Sequence, residues 1–168
     1  MPRWRSAIAT HLIDPLGWKL NGTHVGSYLK RFRAMQWDDV DTWRGRQAEL
    51  LSRLLTHAVT HVPYYMRRVE GLNPEKIARD PFGSLKSFPI LERSDLVECF
   101  DELVFDMGRR PKLGKSGGST GTPVRYLHDT HYTGAAFATT QLSFDWAGLS
   151  RGDRRVALWG ARRDFASR

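Results

Sequence analysis

The sequence has few of the residues that mark a secreted or membrane-spanning protein. Its 168 residues include one cysteine, Cys99, so no intrachain disulfide can form, which suits a reducing cytoplasm. No CxxC pair or catalytic signature lies beside Cys99, which favours a buried structural thiol. No apolar run approaches the ~20 residues of a membrane-spanning helix, and His11, Asp14 and Pro15 interrupt any signal-peptide core. We therefore predict a cytoplasmic location and no transmembrane segment.

Acidic residues are also in the minority. Against 18 Asp and Glu the sequence has 26 Lys and Arg, which gives a formal net charge of +8. This excess favours an anionic partner such as a nucleotide, CoA, nucleic acid or an acidic lipid surface. The basic residues form short clusters rather than a tail, so a solvated surface is the alternative for each cluster. No RNA-binding motif or helix-turn-helix signal is present, which argues against nucleic acid.

Hydrophobic spacing predicts a mixed α/β protein with an N-terminal segment over residues 1–40 and one domain over 41–168. Residues 1–40 are predicted to form an irregular or helical segment, in which glycines interrupt the aromatic and basic residues. The clearest helix runs from about Asp41 to His61, with Asp41 or Thr42 as its cap and Pro63 as its end. A VPYY turn follows. Asn73 and Pro74 begin a short helix, and residues 93–103 are predicted to form another.

The second half of the sequence alternates between loop, strand and helix signals. Residues 108–123 are rich in Gly, Ser, Thr and basic residues, as in a loop, and Val124–Leu127 is predicted to be a strand. A helix over 130–146 is capped by Asp129 and ended by Gly148. Val156–Trp159 is predicted to be a second strand. A sheet of so few strands has open edges, so we expect the sheet domain to be incomplete within these 168 residues.

The stretch from Lys115 to Pro123, KSGGSTGTP, carries the strongest chemical signal. Its three glycines allow positive φ and close approach of the backbone to a ligand. Successive backbone N–H groups can converge on an anion, and the hydroxyls and neighbouring cations add donors. The candidate binding residues are Ser116, Gly117, Gly118, Ser119, Thr120, Gly121 and Thr122, with Arg109, Arg110, Lys112 and Lys115 nearby. The alternative is a flexible Gly/Ser linker.

A P-loop is excluded, although Gly114-Lys115-Ser116 resembles the end of one. The P-loop pattern GxxxxGK, followed by Ser or Thr, requires a glycine at the position of Arg109. The residues after Ser116 are also predicted to form a loop rather than the helix whose N-terminus faces the phosphates.

SGGSTGTP followed by an extended segment resembles the nucleotide-binding loop of adenylate-forming enzymes, whose usual form is Ser/Thr-Ser-Gly-Ser/Thr-Thr-Gly-x-Pro. LLTHAVTHVPYYMRR, SLKSFPILERSDL, the loop and GDRRVALWGAR, in this order, are similar to the N-terminal region of the phenylacetate–CoA ligase-like family, especially its capsule-biosynthesis relatives. The resemblance covers roughly residues 45–162. In two departures, Gly117 replaces a commoner Ser or Thr, and Val124-Arg125 follows Pro123 where many adenylate-forming enzymes have Lys.

The resemblance implies an ATP-dependent, AMP-forming ligase and the start of its sheet domain. A carboxylate attacks the α-phosphate of ATP, and a thiol such as CoA or a carrier then accepts the acyl group. Ser116–Thr122 would hold the β- and γ-phosphates together with Mg²⁺, and Ser119 and Thr120 would provide hydroxyl contacts. The family's catalytic parts lie further along the chain, so we expect these 168 residues alone not to catalyse adenylation, and no catalytic residue is assigned.

Two other function classes stay open. One is a non-catalytic module that binds a nucleotide or another phosphate ligand, and the other is a basic protein that binds polyanions. Two histidine patterns have metal-ligand spacing, His57 with His61 and His128-Asp129 with His131. Surface packing and helix capping explain these patterns better, so no metal ligand is assigned.

Overall fold

The computed structural model describes residues 8, 12, 14–20, 22–105, 111–116, 123–150, 153 and 156. This part of the chain is mostly helical, with one small antiparallel sheet. Its helices are α1 Asp14–Leu20, α2 Val25–Met35, α3 Val40–His61, α4 Pro63–Arg68, α5 Pro74–Arg79, α6 Pro81–Leu85, α7 Arg93–Glu98, α8 Phe100–Leu103 and α9 Thr130–Trp146, and its strands are β1 Lys112–Lys115 and β2 Arg125–His128. The mixed α/β class is confirmed at this level. Within the described residues, no helix combines the length and the apolar content needed to cross a bilayer.

Local capping explains where the helices begin. The carboxylate of Asp39 accepts the backbone N–H of Thr42 at 2.8 Å, so Asp39 caps α3 rather than the predicted Asp41 or Thr42. At α5, the Asn73 side chain accepts the N–H of Lys76 at 2.9 Å and Pro74 occupies the first turn, as predicted. The predicted Asp129 cap of α9 is also confirmed, since Asp129 accepts the N–H of Tyr132 at 2.7 Å.

Several other boundaries differ from the sequence-based prediction. Within the segment 1–40, which was predicted to be irregular or helical, the described residues contain α1 and α2. The predicted turn after Pro63 is the short helix α4, because proline is well tolerated in a first helical turn. The predicted helix over 93–103 is interrupted at Cys99. As predicted, Gly148 follows the end of α9, with a φ of 71°. Of the strand predicted over Val156–Trp159, only Val156 is described, and it is exposed and outside any strand.

The main apolar core lies between α2 and α9. Its buried members are Val25 and Leu29 of α2 with Ala138 and Leu142 of α9. The two helices run parallel, because His24 stacks on His131 at one end and Arg33 bonds Asp145 at the other. Burial of these aliphatic side chains, at about 25 cal/mol per Å² of apolar surface, holds the pair together.

A second group of helices surrounds α3. Its buried residues come from the C-terminal half of α3 and from the segments after it, and Pro63 ends α3 as predicted. Arg67 and Arg68 of α4 bond Glu102 of α8, with nitrogen–oxygen distances of 2.6 and 3.0 Å. The buried hydrophobic residues of this group are Leu55, Ala58, Val62, Tyr64, Val69 and Ile77.

Candidate functional site

The glycine-rich segment begins and ends at one end of a β-hairpin. In the antiparallel register Lys112 faces His128 and Lys115 faces Arg125. Residues 108–123 were predicted to be a loop, and β1 within them shows that this prediction was wrong for Lys112–Lys115. The predicted strand Val124–Leu127 is confirmed with a shift of one residue, to Arg125–His128. The hairpin therefore fixes the two residues between which the segment connects.

Two hydrogen bonds extend the hairpin beyond the strands. The backbone N–H of Ser116 donates to the carbonyl of Val124 at 2.8 Å. The N–H of Val124 in turn donates to the Ser116 hydroxyl oxygen at 2.9 Å. Ser116, one of the candidate binding residues, thus has a structural role through its oxygen and keeps its hydroxyl proton for another acceptor. Its partner, Val124, directly precedes β2.

The other six candidate residues, Gly117, Gly118, Ser119, Thr120, Gly121 and Thr122, lie outside the described residues. Arg109 and Arg110 do so as well. The described part of the site consists of the hairpin end and its surroundings. The contribution of residues 117–122, Arg109 and Arg110 to ligand binding stays a prediction.

Two cations face each other where the hairpin meets this segment. Directly opposed residues of an antiparallel pair project from the same face, so Lys115 and Arg125 lie side by side. Both are exposed, and with Val97 and Pro123 they line a cavity of about 340 Å³. Like charges directly opposite one another destabilise a sheet. An anion in this cavity would offset that repulsion.

The role of Arg125 was not predicted from the sequence, where Arg125 is only a departure from a family pattern. Its guanidinium carbon lies 4.1 Å from the centre of the Phe100 ring, a cation–π contact that joins β2 to α8. Lys115 directly precedes residues 116–123, and Arg125 follows them after Val124. These positions could have indicated a cation pair only if β1 had been recognised as a strand.

An apolar cavity of about 260 Å³ lies on the other side of Arg125, between the hairpin and α7–α8. Arg125 therefore borders both a cationic and an apolar cavity. Such an arrangement can accept a ligand with an anionic group next to an apolar body. The lining residues are Leu96, Phe100, Leu103, Val104, Phe105, Arg125, Tyr126 and Leu127.

Gly114 allows the aromatic side chain of Tyr126 to lie across the hairpin. A Cβ atom at Gly114 would come within 2.5 Å of the Tyr126 ring. The glycine is thus required by packing on the face opposite the cation pair. On that face Tyr126 also contacts His128, with ring centres 5.9 Å apart.

The histidines with metal-ligand spacing do not form a metal site in the described residues. His57 and His61 stack at 4.8 Å, and His57 also packs edge-on against Phe105. His131 stacks on His24 instead of turning toward His128. Among the described residues, no group of three His, Cys, Asp or Glu side chains could hold a metal ion.

The Mg²⁺ implied by the family resemblance finds no protein ligand around the described hairpin end. Mg²⁺ prefers carboxylate and phosphate oxygens. The cavity beside the segment is lined by two cations, a valine and a proline. The described residues around the hairpin end therefore offer no ligand for a protein-held Mg²⁺.

Comparison with known proteins gives no relative from which a function could be transferred. No protein-family model, no curated protein and no solved structure matches the chain.

Proposed function

We propose that the hairpin end and residues 116–123 bind the phosphates of a nucleotide. The observation that carries this proposal is the opposed pair Lys115 and Arg125 at the point where the glycine-rich segment leaves the sheet. Two cations at about the spacing of neighbouring strands, ~5 Å, suit a polyphosphate better than a single charge. The Ser116–Val124 hydrogen bonds hold both ends of the segment at this pair.

We further propose that this binding serves ATP-dependent, AMP-forming activation of a carboxylate. Support comes from the resemblance of SGGSTGTP and its flanking motifs to the phenylacetate–CoA ligase-like family. Donors fixed around a phosphate chain favour attack at phosphorus by orienting the chain and by neutralising charge. Transfer of the acyl group to CoA or another thiol belongs to the proposal through the resemblance alone.

Replacement of Lys115 tests the nucleotide site. Lys115→Gln is expected to weaken ATP binding about tenfold, because one charge-assisted hydrogen bond to phosphate is lost. Lys112→Gln is the matched control, since Lys112 lies on the same strand, three residues from Lys115 and on the other face. Binding is measured by calorimetry at fixed ionic strength.

Equal weakening by the two substitutions would contradict the site and would indicate a general attraction of this basic chain for anions. A competition series with single-stranded DNA at increasing salt separates the function classes. A nucleotide site prefers ATP at every salt concentration, whereas a polyanion-binding surface prefers DNA and loses affinity steeply with salt.

A further inference from the structure

A second cleft lies at the N-terminal ends of α2 and α9. It shares no lining residue with the cavity at the hairpin end. Its volume is about 310 Å³, and none of the described residues that line it is acidic. One permanent cation, Arg31, two imidazoles and two hydroxyl groups surround it. The lining residues are His24, Ser27, Tyr28, Arg31 and His131.

Hydrogen bonds fix how the lining groups face the cleft. The Tyr28 hydroxyl lies 3.3 Å from Nδ1 of His131. When this hydroxyl donates to Nδ1, the proton of the neutral imidazole must be on Nε2, which makes His131 a donor through that atom. The Ser27 hydroxyl donates to the carbonyl of His24 at 2.8 Å, so its proton is used within α2. Arg31, His24 and His131 are the donors left for a ligand.

The two imidazoles lie against each other. The rings of His24 and His131 are stacked, with centres 4.5 Å apart and planes 11° apart. Two donors at this separation can reach two oxygens of one tetrahedral anion.

The surrounding backbone adds positive potential to this cleft. Because α2 and α9 run parallel, the positive ends of both helix dipoles lie together. The first turn of neither helix contains an acidic residue, and the His24 side chain makes no capping bond. Asp129, the N-cap of α9, places a carboxylate at this helix end, and its oxygen accepts the N–H of Tyr132.

We propose that this cleft binds a phosphate group, as inorganic phosphate or as a phosphate monoester. A doubly charged tetrahedral oxyanion matches a guanidinium, two ring N–H donors and two helix N-termini. The cavity also has room for a small organic substituent. This inference does not rest on the proposed nucleotide site, because the two clefts share no lining residue.

Inorganic phosphate is the probe, titrated into the ¹⁵N-labelled chain at constant ionic strength. The amide signals of Ser27, Tyr28 and His131 are expected to shift together and to saturate in the millimolar range. Arg31→Gln is expected to raise the dissociation constant about tenfold, because one charge-assisted contact is lost. Lys30→Gln removes the same charge from the neighbouring residue, which does not line the cleft, and should leave it within about twofold.

Three results would overturn the inference. One is the absence of any shift at Ser27, Tyr28 and His131, and another is equal weakening by the Arg31 and Lys30 substitutions. The third is binding of acetate as tight as that of phosphate. Lys115→Gln should leave this constant unchanged, so failure here and failure of the hairpin site are distinguishable. Circular dichroism verifies that each variant is folded.

Discussion

At the scale of single residues, two glycines within helices have opposite surroundings. Gly134 of α9 is buried, and a Cβ atom there would lie 3.1 Å from the backbone nitrogen of His24 and 3.4 Å from its carbonyl carbon. Gly45 of α3 is exposed, and a Cβ atom there would meet nothing within 4 Å. Gly134 therefore allows the N-terminus of α2 to approach α9, whereas nothing in the structure requires glycine at position 45.

Gly134→Ala is expected to lower the free energy of unfolding by about 1 kcal/mol. The added methyl group pushes two backbone atoms of the neighbouring helix, which outweighs the better helix propensity of alanine. Gly45→Ala is the matched control and should raise the free energy by about 0.5–1 kcal/mol through propensity alone. Urea unfolding measures both. Equal stabilisation by the two substitutions would show that α2 does not approach α9 as closely as described.

At the scale of elements, the sequence predicted the long helices and missed the hairpin. Seventeen residues in α9 and 22 in α3 carry enough periodic apolar positions to reveal a helix. The cap of α3 was ambiguous because several neighbouring side chains can cap, among them Asp39, Asp41 and Thr42. The KLGK sequence of β1 contains no β-branched or aromatic residue, so its strand depends on pairing with β2.

The candidate sites differ in the same way, because one is indicated by the local sequence and the others depend on contacts between distant residues. The composition of residues 116–122 indicated an anion-binding segment directly from the sequence. The pairing of Lys115 with Arg125 requires knowledge of the register. The cleft between α2 and α9 could not be predicted from the sequence, because Tyr28 and His131 are separated by 103 positions and meet only through helix packing.

Ser116 tests whether the hairpin end is held as described. Ser116→Ala removes the acceptor of the Val124 N–H, while Ser116→Thr keeps the hydroxyl. Loss of this hydrogen bond, worth about 1 kcal/mol, should accelerate hydrogen exchange of the Val124 amide several-fold in the alanine variant. The threonine variant should exchange like the unmodified chain. Identical rates in both variants would mean that the side chain of residue 116 does not close the hairpin.

At the scale of the whole molecule, two groups of titrating side chains should affect stability in separate pH ranges. Burial, and then the charge of His61, lowers the pKa of His57 below its ordinary value of 6.5. Hydrogen bonds from Arg67 and Arg68 lower the pKa of Glu102 below its ordinary value of 4.5. Each folded-state group binds protons less readily than its unfolded counterpart. The contribution of each group to the free energy of unfolding is therefore complete above its ordinary pKa and falls as the pH decreases below that pKa.

His57→Phe isolates the upper of these two ranges. Nε2 of His57 is buried without a hydrogen-bond partner among the described residues, and the ring packs against Phe105, so phenylalanine can occupy the site without titrating. Between about pH 7.5 and pH 5.5 the melting temperature of the unmodified chain should fall more steeply than that of the variant. Below about pH 4.5 both curves should fall together, because both retain Glu102 with its arginines. Parallel curves over the upper range would show that protonation of His57 is not opposed by the folded state, and its packing between His61 and Phe105 would then have no effect on its charge.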